Sequence, residues 1–349
     1  MENMYAAKQM PANPVVAVCG ATGAVGQEFL KVLSDVNFPA SEVRALASAK
    51  SAGKQLPFSG CGRAKAGKLV VREMTSEAFE GVDIALFSAG AQISKQFREA
   101  VVAAGAVMID NSSAFRMEDD VPLVVPEVNP GDVKRHSGVI ANPNCSTIEM
   151  VVALKPLADL APIKRVVVST YQAASGAGMP AMVELYDQTR SYLDSMTMKA
   201  EAFAHPLAFN CIPKIDVMME DGSAKEEWKM VVETKKIMHA PEIGVSATCV
   251  RVPVVRCHGE AVNVEFEAPV SVEAAREAWK GAPMMEVFDD PENEVYPMPG
   301  ELAGTDPVYV GRVRGDASVE NGLSFWLVMD QIRKGAALNA VQIAQLLLP

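Results

Sequence analysis

The run Gly20-Ala-Thr-Gly23-Ala-Val-Gly26 constrains the fold most. It follows a short apolar, β-branched segment, Val15-Val-Ala-Val-Cys19, and precedes residues 27–33, which carry apolar side chains at helical spacing. Strand, glycine turn and helix in that order open a dinucleotide-binding fold. The glycines permit a tight turn and let the backbone approach a pyrophosphate, whose charge then faces the helix N-terminus. The spacing is GxxGxxG rather than GxGxxG, so a glycine turn without a ligand is the competing reading. The strand and helix on its flanks favour the ligand.

The alternation continues. Val43-Arg-Ala-Leu-Ala47, Asp83-Ile-Ala-Leu-Phe87 and Val107-Met-Ile-Asp110 read as strands, with a helical stretch at 93–104 between the last two. Repeated strand–helix units predict a doubly wound parallel sheet of the Rossmann type. At 349 residues the chain is long enough for two domains. Beyond residue 145 the pattern changes. Val166-Val-Val-Ser-Thr-Tyr171, Cys249-Val-Arg-Val-Pro-Val-Val255 and Ala261-Val-Asn-Val-Glu-Phe-Glu267 alternate faces, as strands of a mixed sheet do. Residues 180–245 are richer in methionine, charge and loops, and residues 336–347 form a strong closing helix. The expected fold is α/β, with a second α+β domain built on a mixed sheet.

Composition narrows the function classes. A hydrophobic content of 49% with 21% charged residues is that of a globular protein, and no apolar run reaches the length of a membrane span. Met1 to Asn13 lacks the charged-then-apolar layout of a signal peptide, which predicts a cytoplasmic protein. None of the six cysteines forms a CxxC pair, so reduced thiols are expected and no metal site. The net charge of −11 argues against nucleic acid. An anionic substrate would need a local cluster of cations.

Cys145 is the candidate nucleophile. It lies in Ala141-Asn-Pro-Asn-Cys-Ser-Thr-Ile-Glu-Met150, after the strand-like Gly138-Val-Ile-Ala141 and before a helical run at 148–154. A thiol at a strand-to-helix junction meets unpaired N–H groups and the positive end of the helix dipole, which favour the thiolate. His258, where a strand gives way to a turn, is the leading proton-transfer group among four histidines. Arg251 lies seven residues earlier. That odd offset puts the two on opposite faces of a continuous strand, unless the turn near Cys257 breaks the count. Arg116, Lys229 and Arg251 could each hold an anion, although taken singly each reads more readily as an exposed charge. Gln172 opens a glycine-rich turn that could approach a nicotinamide. After the second strand Ser48, Lys50 and Ser51 stand where an NAD-specific fold has an acidic residue. Donors and a positive charge suit a 2′-phosphate, hence NADP, with a solvated loop as the alternative.

Together these segments closely resemble the aspartate-semialdehyde dehydrogenase family. The resemblance rests on Gly20-Ala-Thr-Gly-Ala-Val-Gly26, Asn111-Ser-Ser-Ala-Phe-Arg-Met117, Asn142-Pro-Asn-Cys-Ser-Thr147, Tyr171-Gln-Ala-Ala-Ser-Gly-Ala-Gly178, Glu226-Glu-Trp-Lys229, Arg251-Val-Pro-Val254 with His258, and Arg333-Lys-Gly-Ala-Ala-Leu-Asn339. It implies NADPH-dependent reduction of L-aspartyl-4-phosphate to L-aspartate 4-semialdehyde and phosphate, on the route to lysine, methionine, threonine and isoleucine. Cys145 would carry the acyl group as a thioester, His258 would be the general acid/base, and Gln172 would help position the substrate. Arg251 would bind the α-carboxylate and Glu226 the α-ammonium, with Arg116, Asn144 and Lys229 around the phosphate. The resemblance also places Gly20, Thr22, Gly23, Ala24, Val25 and Gly26 at the pyrophosphate and Ser48, Lys50 and Ser51 at the 2′-phosphate. Ser175 and Gly176 would lie near the nicotinamide, and Gln331 would reach back to the cofactor.

Residues 1–144, completed by a C-terminal helix at about 330–349, would bind NADP, and residues 145–329 would form the catalytic and dimerisation domain. A homodimer is implied, with a tetramer as the alternative. Lys50 stands where many members have arginine, Glu149 where glutamine is frequent, and Gln331 where asparagine is common. The nearest rival is N-acetyl-glutamyl-phosphate reductase. Its substrate lacks an ammonium group and would not need Glu226. A non-catalytic NADP-binding relative is a second rival, disfavoured by the joint presence of Cys145, Gln172, Arg251 and His258.

Overall fold

The computed structural model describes residues 9–349, so most of the Met1 to Asn13 segment lies outside the described residues. The chain divides into two compact units. The first comprises the residues up to Asn144 together with Ala336–Pro349, and the second Cys145–Gly335.

The first unit is built on strands β1 (Val15–Cys19), β2 (Glu42–Ala47), β3 (Gln55–Phe58), β4 (Gly67–Val70), β5 (Arg72–Glu73), β6 (Ile84–Phe87), β7 (Val107–Asp110) and β8 (Val139–Ala141). Six of them form one sheet in the order β5-β2-β1-β6-β7-β8 with every pair parallel; β3 and β4 make a small antiparallel hairpin. β6, β7 and β8 are buried along their whole length, which is why they read as unbroken apolar runs. The strand order reverses between β1 and β6, and ligands of open α/β sheets bind at the C-terminal ends of strands at such a reversal. The glycine turn leaves β1 at that point.

Helix α1 (Ala24–Asp35) buries Phe29, Leu30, Val32 and Leu33 on one face. α2 (Ala91–Ala103) links β6 to β7. Two glycines of the turn, Gly20 and Gly26, are required by geometry. Gly20 has φ +84°, and a Cβ on Gly26 would lie 2.1 Å from the Gly20 carbonyl oxygen and 2.7 Å from the Ala21 Cα. Both obstacles are backbone, so neither can step aside cheaply. Gly26→Ala is expected to cost about 3 kcal/mol or more, by strain rather than lost contacts. Denaturant melts of the variant with and without NADP would check this.

The second unit contains β9 (Ile163–Gln172), β10 (Gly244–Arg251), β11 (His258–Phe266), β12 (Met285–Val287), β13 (Val308–Asp316) and β14 (Gly322–Met329), ordered β10-β9-β11-β14-β13-β12. β10 runs parallel to β9 and β12 parallel to β13, while the remaining pairs are antiparallel, so the sheet is mixed. Helices α3 (Cys145–Ala158), α5 (Lys225–Ile237) and α6 (Val272–Lys280) belong to this unit, as does α4 (Met179–Leu193). α3 is buried on nearly every side through Met150, Val151, Val152, Ala153, Leu154 and Leu157. Trp279 of α6 donates its indole N–H to the Ala153 carbonyl at 2.9 Å and meets Phe325 edge-on at 5.1 Å. The opposite face of the sheet is half-exposed, with Tyr171 and Trp326 in edge contact at 5.2 Å.

Several boundaries differ from expectation. α3 begins at Cys145 itself rather than at residue 148. The strand expected over 249–255 ends at Arg251, since Pro253 cannot donate to a ladder. His258 does not end a strand but begins β11, after Cys257 turns the chain with φ +76°. The loop-rich stretch 180–245 holds most of α4 and all of α5. The closing helix starts as a π-helical segment, Arg333–Leu338, before α7 (Asn339–Leu346). All six cysteines are free, and no helix among the described residues is long and apolar enough to cross a membrane.

Candidate active site

In the second unit, β9 organises the site. Its last residue, Gln172, pairs with Arg251 on β10, and Gly259 of β11 pairs with Tyr171. Arg251 and His258 therefore sit on two strands that flank β9, one parallel to it and one antiparallel. The seven-residue offset never runs along one strand, so the alternation argument does not apply. Beyond β9 the chain 172–175 is held by Val252 N–H donating to Gln172 O, Ala174 N–H to Val254 O and Ser175 N–H to Val255 O.

One backbone residue joins the two cationic candidates. The Ala173 carbonyl accepts from the Arg251 guanidinium at 2.6 Å, and the Ala173 N–H donates to His258 Nδ1 at 3.0 Å. An acceptor Nδ1 puts the proton of the neutral ring on Nε2. His258 is fully buried; burial, then the Arg251 charge, holds its pKa well below the ordinary histidine value. The ring is thus held neutral, with an Nε2–H to donate.

Gln172 is fixed from both ends. Thr170 Oγ1 donates to its Oε1 at 3.0 Å, and its Nε2 donates to Glu226 Oε1 at 3.1 Å. That leaves Gln172 Nε2 and His258 Nε2 neighbours at 3.5 Å, and with Nδ1 accepting both nitrogens carry N–H.

Arg251 is buried, and burial pulls its pKa down while Glu226 and the Cys145 sulfur oppose that pull. Arginine stays protonated regardless, so the positive charge that reaches Cys145 is that of Arg251. Lys229 Nζ bonds Asp216 at 2.7 Å and Glu226 at 3.0 Å. Burial opposes its charge, but these two carboxylates outweigh it and hold the ammonium above the usual lysine range. Lys229 is not an exposed charge: it is a half-buried member of a three-charge cluster with Asp216 and Glu226.

Gly176 and Gly335 matter through what they lack. A Cβ on Gly176 would lie 2.8 Å from the Arg251 guanidinium and 3.2 Å from the His258 ring; one on Gly335 would lie 2.9 Å from the Cys145 Cβ. Gly176→Ala should therefore displace both side chains together. The expected result is a fall in kcat/KM of about a hundredfold, the usual effect of a misplacement near 1 Å, with melting temperature changed little; steady-state kinetics beside a thermal melt would show it. Gln331 accepts the Cys257 N–H at 2.9 Å and donates to Ser175 Oγ, so both belong to one loop-bracing pair. The buried Asp330 beside it receives Arg256 at 2.7 Å. Asp330 carried no sequence signal, and Ala173 and Gly335 stood inside recognisable motifs without any sign of their own roles: a backbone group, a small residue and an acidic residue near a strand end look ordinary.

The remaining candidates lie in the first unit. Arg116 is buried and donates from Nε to the Asn142 carbonyl at 3.0 Å and from a terminal nitrogen to the Asn111 carbonyl at 2.8 Å. Asn144 is buried at the end of that unit. α1 is capped by Gly23, whose lack of a side chain leaves the first N–H groups uncapped by a side chain. Ser48 and Lys50 are exposed after β2, and Thr22 Oγ1 is 3.5 Å from Ser51 Oγ. A backbone cradle closed to any Cβ, open helix N–H groups and a nearby lysine fit a phosphorylated dinucleotide. No cluster of three or more metal-ligating side chains occurs among the described residues.

Residues 15–136 match the family described as "Semialdehyde dehydrogenase, NAD binding domain", and residues 154–334 "Semialdehyde dehydrogenase, dimerisation domain". The chain is 55% identical over 336 residues to the aspartate-semialdehyde dehydrogenase of Aquifex aeolicus, covering 95% of this chain and 97% of the relative. It is similar to the crystal structure of aspartate semialdehyde dehydrogenase II from Vibrio cholerae complexed with ASA, at 45% identity and TM-score 0.92, covering 97% of this chain and 98% of that one. The same enzyme from Candida albicans, solved with NADP, aligns with TM-score 0.70 at 26% identity over 96% of this chain and 98% of that one. A nucleotide-binding parallel sheet, an oligomer-forming mixed sheet and these relatives agree: the chain is an oxidoreductase of the aspartate-semialdehyde dehydrogenase family.

Proposed function

We propose that the protein reduces L-aspartyl-4-phosphate to L-aspartate 4-semialdehyde and phosphate with NADPH, through a thioester on Cys145. The observation that carries this is the grouping of Gln172, Arg251 and His258 around the Ala173 backbone, with the Arg251 charge reaching the Cys145 sulfur.

The start of α3 and the Arg251 cation favour a Cys145 thiolate. The thiolate attacks the acyl carbon; a C–S bond forms, the C–O bond to phosphate breaks, and phosphate leaves with that electron pair. The glycine turn would hold NADPH, with Ser48, Lys50 and Ser51 at its 2′-phosphate, and the bound cofactor would supply the hydride. The tetrahedral oxyanion on the Cys145 adduct collapses to the aldehyde and expels the thiolate. His258 Nε2–H and Gln172 Nε2 donate to the acyl oxygen as its charge grows, with His258 as general acid/base. Arg251 offers a fork for the α-carboxylate, and Glu226 offers a carboxylate for the α-ammonium. Arg116, Asn144 and Lys229 serve the phosphate, Ser175 and Gly176 the nicotinamide, and Gln331 holds Ser175.

Units one and two act as the NADP-binding domain and the catalytic, dimerising domain. The half-exposed sheet face around Tyr171 and Trp326 supports a homodimer; the cytoplasmic location rests on the sequence reading alone. The test is phosphate-dependent reduction of NADP by aspartate semialdehyde. The reading requires activity that depends on phosphate or arsenate and exceeds that with NAD. Reduction of N-acetyl-glutamyl phosphate but not aspartyl phosphate would overturn it.

A further inference from the structure

Two acidic side chains in the second unit take no part in that chemistry. Glu149 lies four residues after Cys145, one turn along the same side of α3. Glu260 lies two residues after His258, on the same face of β11, and pairs in register with Thr170 of β9. Both are wholly buried, and no hydrogen-bond partner reaches any of their four carboxyl oxygens. Two carboxylates cannot both ionise in such a place: each loses hydration, and each repels the other.

We infer that Glu149 and Glu260 are positioning residues: they keep at least one proton between them at neutral pH, and the protonated pair fixes the helix of Cys145 against the strand of His258. That Cys145 and His258 are the reacting groups rests on the function proposed above; the proton does not.

No positive charge is among the causes that shift either carboxyl. Burial pushes both carboxyls well above the usual carboxylate range, and the Glu260 charge pushes Glu149 further. Cys257, before β11, feels Glu149, and Cys249 of β10 feels Glu260; burial raises both thiols, so they stay neutral. α5 contributes the buried acids Glu226 and Glu233, α6 contributes Ala275 and Trp279, and β13 and β14 contribute Val308, Val310, Leu323, Phe325 and Leu327. Lys229 of α5 is already matched by Glu226 and Asp216. Lys334, also buried, lies beyond β14 beside Gly335.

A carboxyl whose folded pKa is raised takes up a proton on folding. Its stabilisation is complete below the ordinary glutamate pKa and is lost as pH rises toward the folded value. As pH climbs above the ordinary glutamate range, the unfolding constant of the wild type should rise about tenfold per pH unit more steeply than that of the double variant Glu149→Gln/Glu260→Gln. Infrared spectra of the wild type in D2O at neutral pD should show the carbonyl stretch of a protonated carboxylic acid, absent from the double variant. That variant should keep its kcat and lose the alkaline fall in kcat/KM. Absence of the infrared band together with parallel pH dependences would overturn the inference. A band with unchanged alkaline kinetics would overturn the positioning role. A band in a protein inactive on aspartate semialdehyde would instead remove the proposed function and leave the proton in place.

Discussion

Replacing Cys145 with alanine should abolish phosphate-dependent reduction of NADP by aspartate semialdehyde, by at least about four orders of magnitude, while NADP affinity stays within about twofold. The two readouts separate because they fall on different units of the fold. The glycine turn, Ser48, Lys50 and Ser51 belong to the first unit, and α3 opens the second with the sulfur as its first side chain. Alanine keeps the helix and removes only the nucleophile. Cys145→Ser should be almost as inactive, since a hydroxyl in the same place ionises far less readily than a thiol. Isothermal titration with NADP beside the steady-state assay decides the matter. Joint loss of binding and activity would mean that the cysteine holds structure rather than an acyl group.

The second large effect concerns His258. His258→Asn should lower kcat by about 10²–10³-fold, the usual result of removing one donor to a developing oxyanion. The pH dependence has a definite sign. The working ring is neutral, with Nδ1 accepting from Ala173 and Nε2 donating. Its pKa is depressed by burial and by Arg251, so activity should persist below the ordinary histidine range. As pH falls through the depressed value, a proton on Nδ1 would face the Ala173 N–H, donor against donor. Stability should decline first, between the unfolded histidine pKa and the depressed folded value, and activity should decline as pH falls through the folded value. The stability that the neutral ring gives is complete above the unfolded histidine pKa and is lost as pH falls from there. A wild-type acid limb at the ordinary histidine value, unchanged in the variant, would contradict this.

What the sequence made legible follows from locality. β1, the glycine turn and α1 are contiguous, and the strands beside them are buried runs that announce themselves by composition. Cys145 at a strand-to-helix junction was visible for the same reason, although the helix proved to start on the cysteine itself. Arg251 and His258 were identified as residues but not as a pair. Their convergence depends on β10 and β11 flanking β9 in opposite directions, and pairing across such separations leaves no periodicity to read. Lys229 looked like a surface cation because its partner Asp216 is thirteen residues away in an irregular segment. Glu149 and Glu260 were the least legible as a pair. An acid within a helix ordinarily reads as a solvated one, and only the layering of α3 on the mixed sheet buries both.

The most direct test of the covalent claim is to mix the enzyme with aspartyl phosphate in the absence of NADPH, quench it, and map the adduct by mass spectrometry while measuring released phosphate. The predicted result is one equivalent of phosphate and an aspartyl thioester confined to the peptide that contains Cys145. Phosphate release only after NADPH is added, or an adduct on the exposed Cys211 instead, would contradict it.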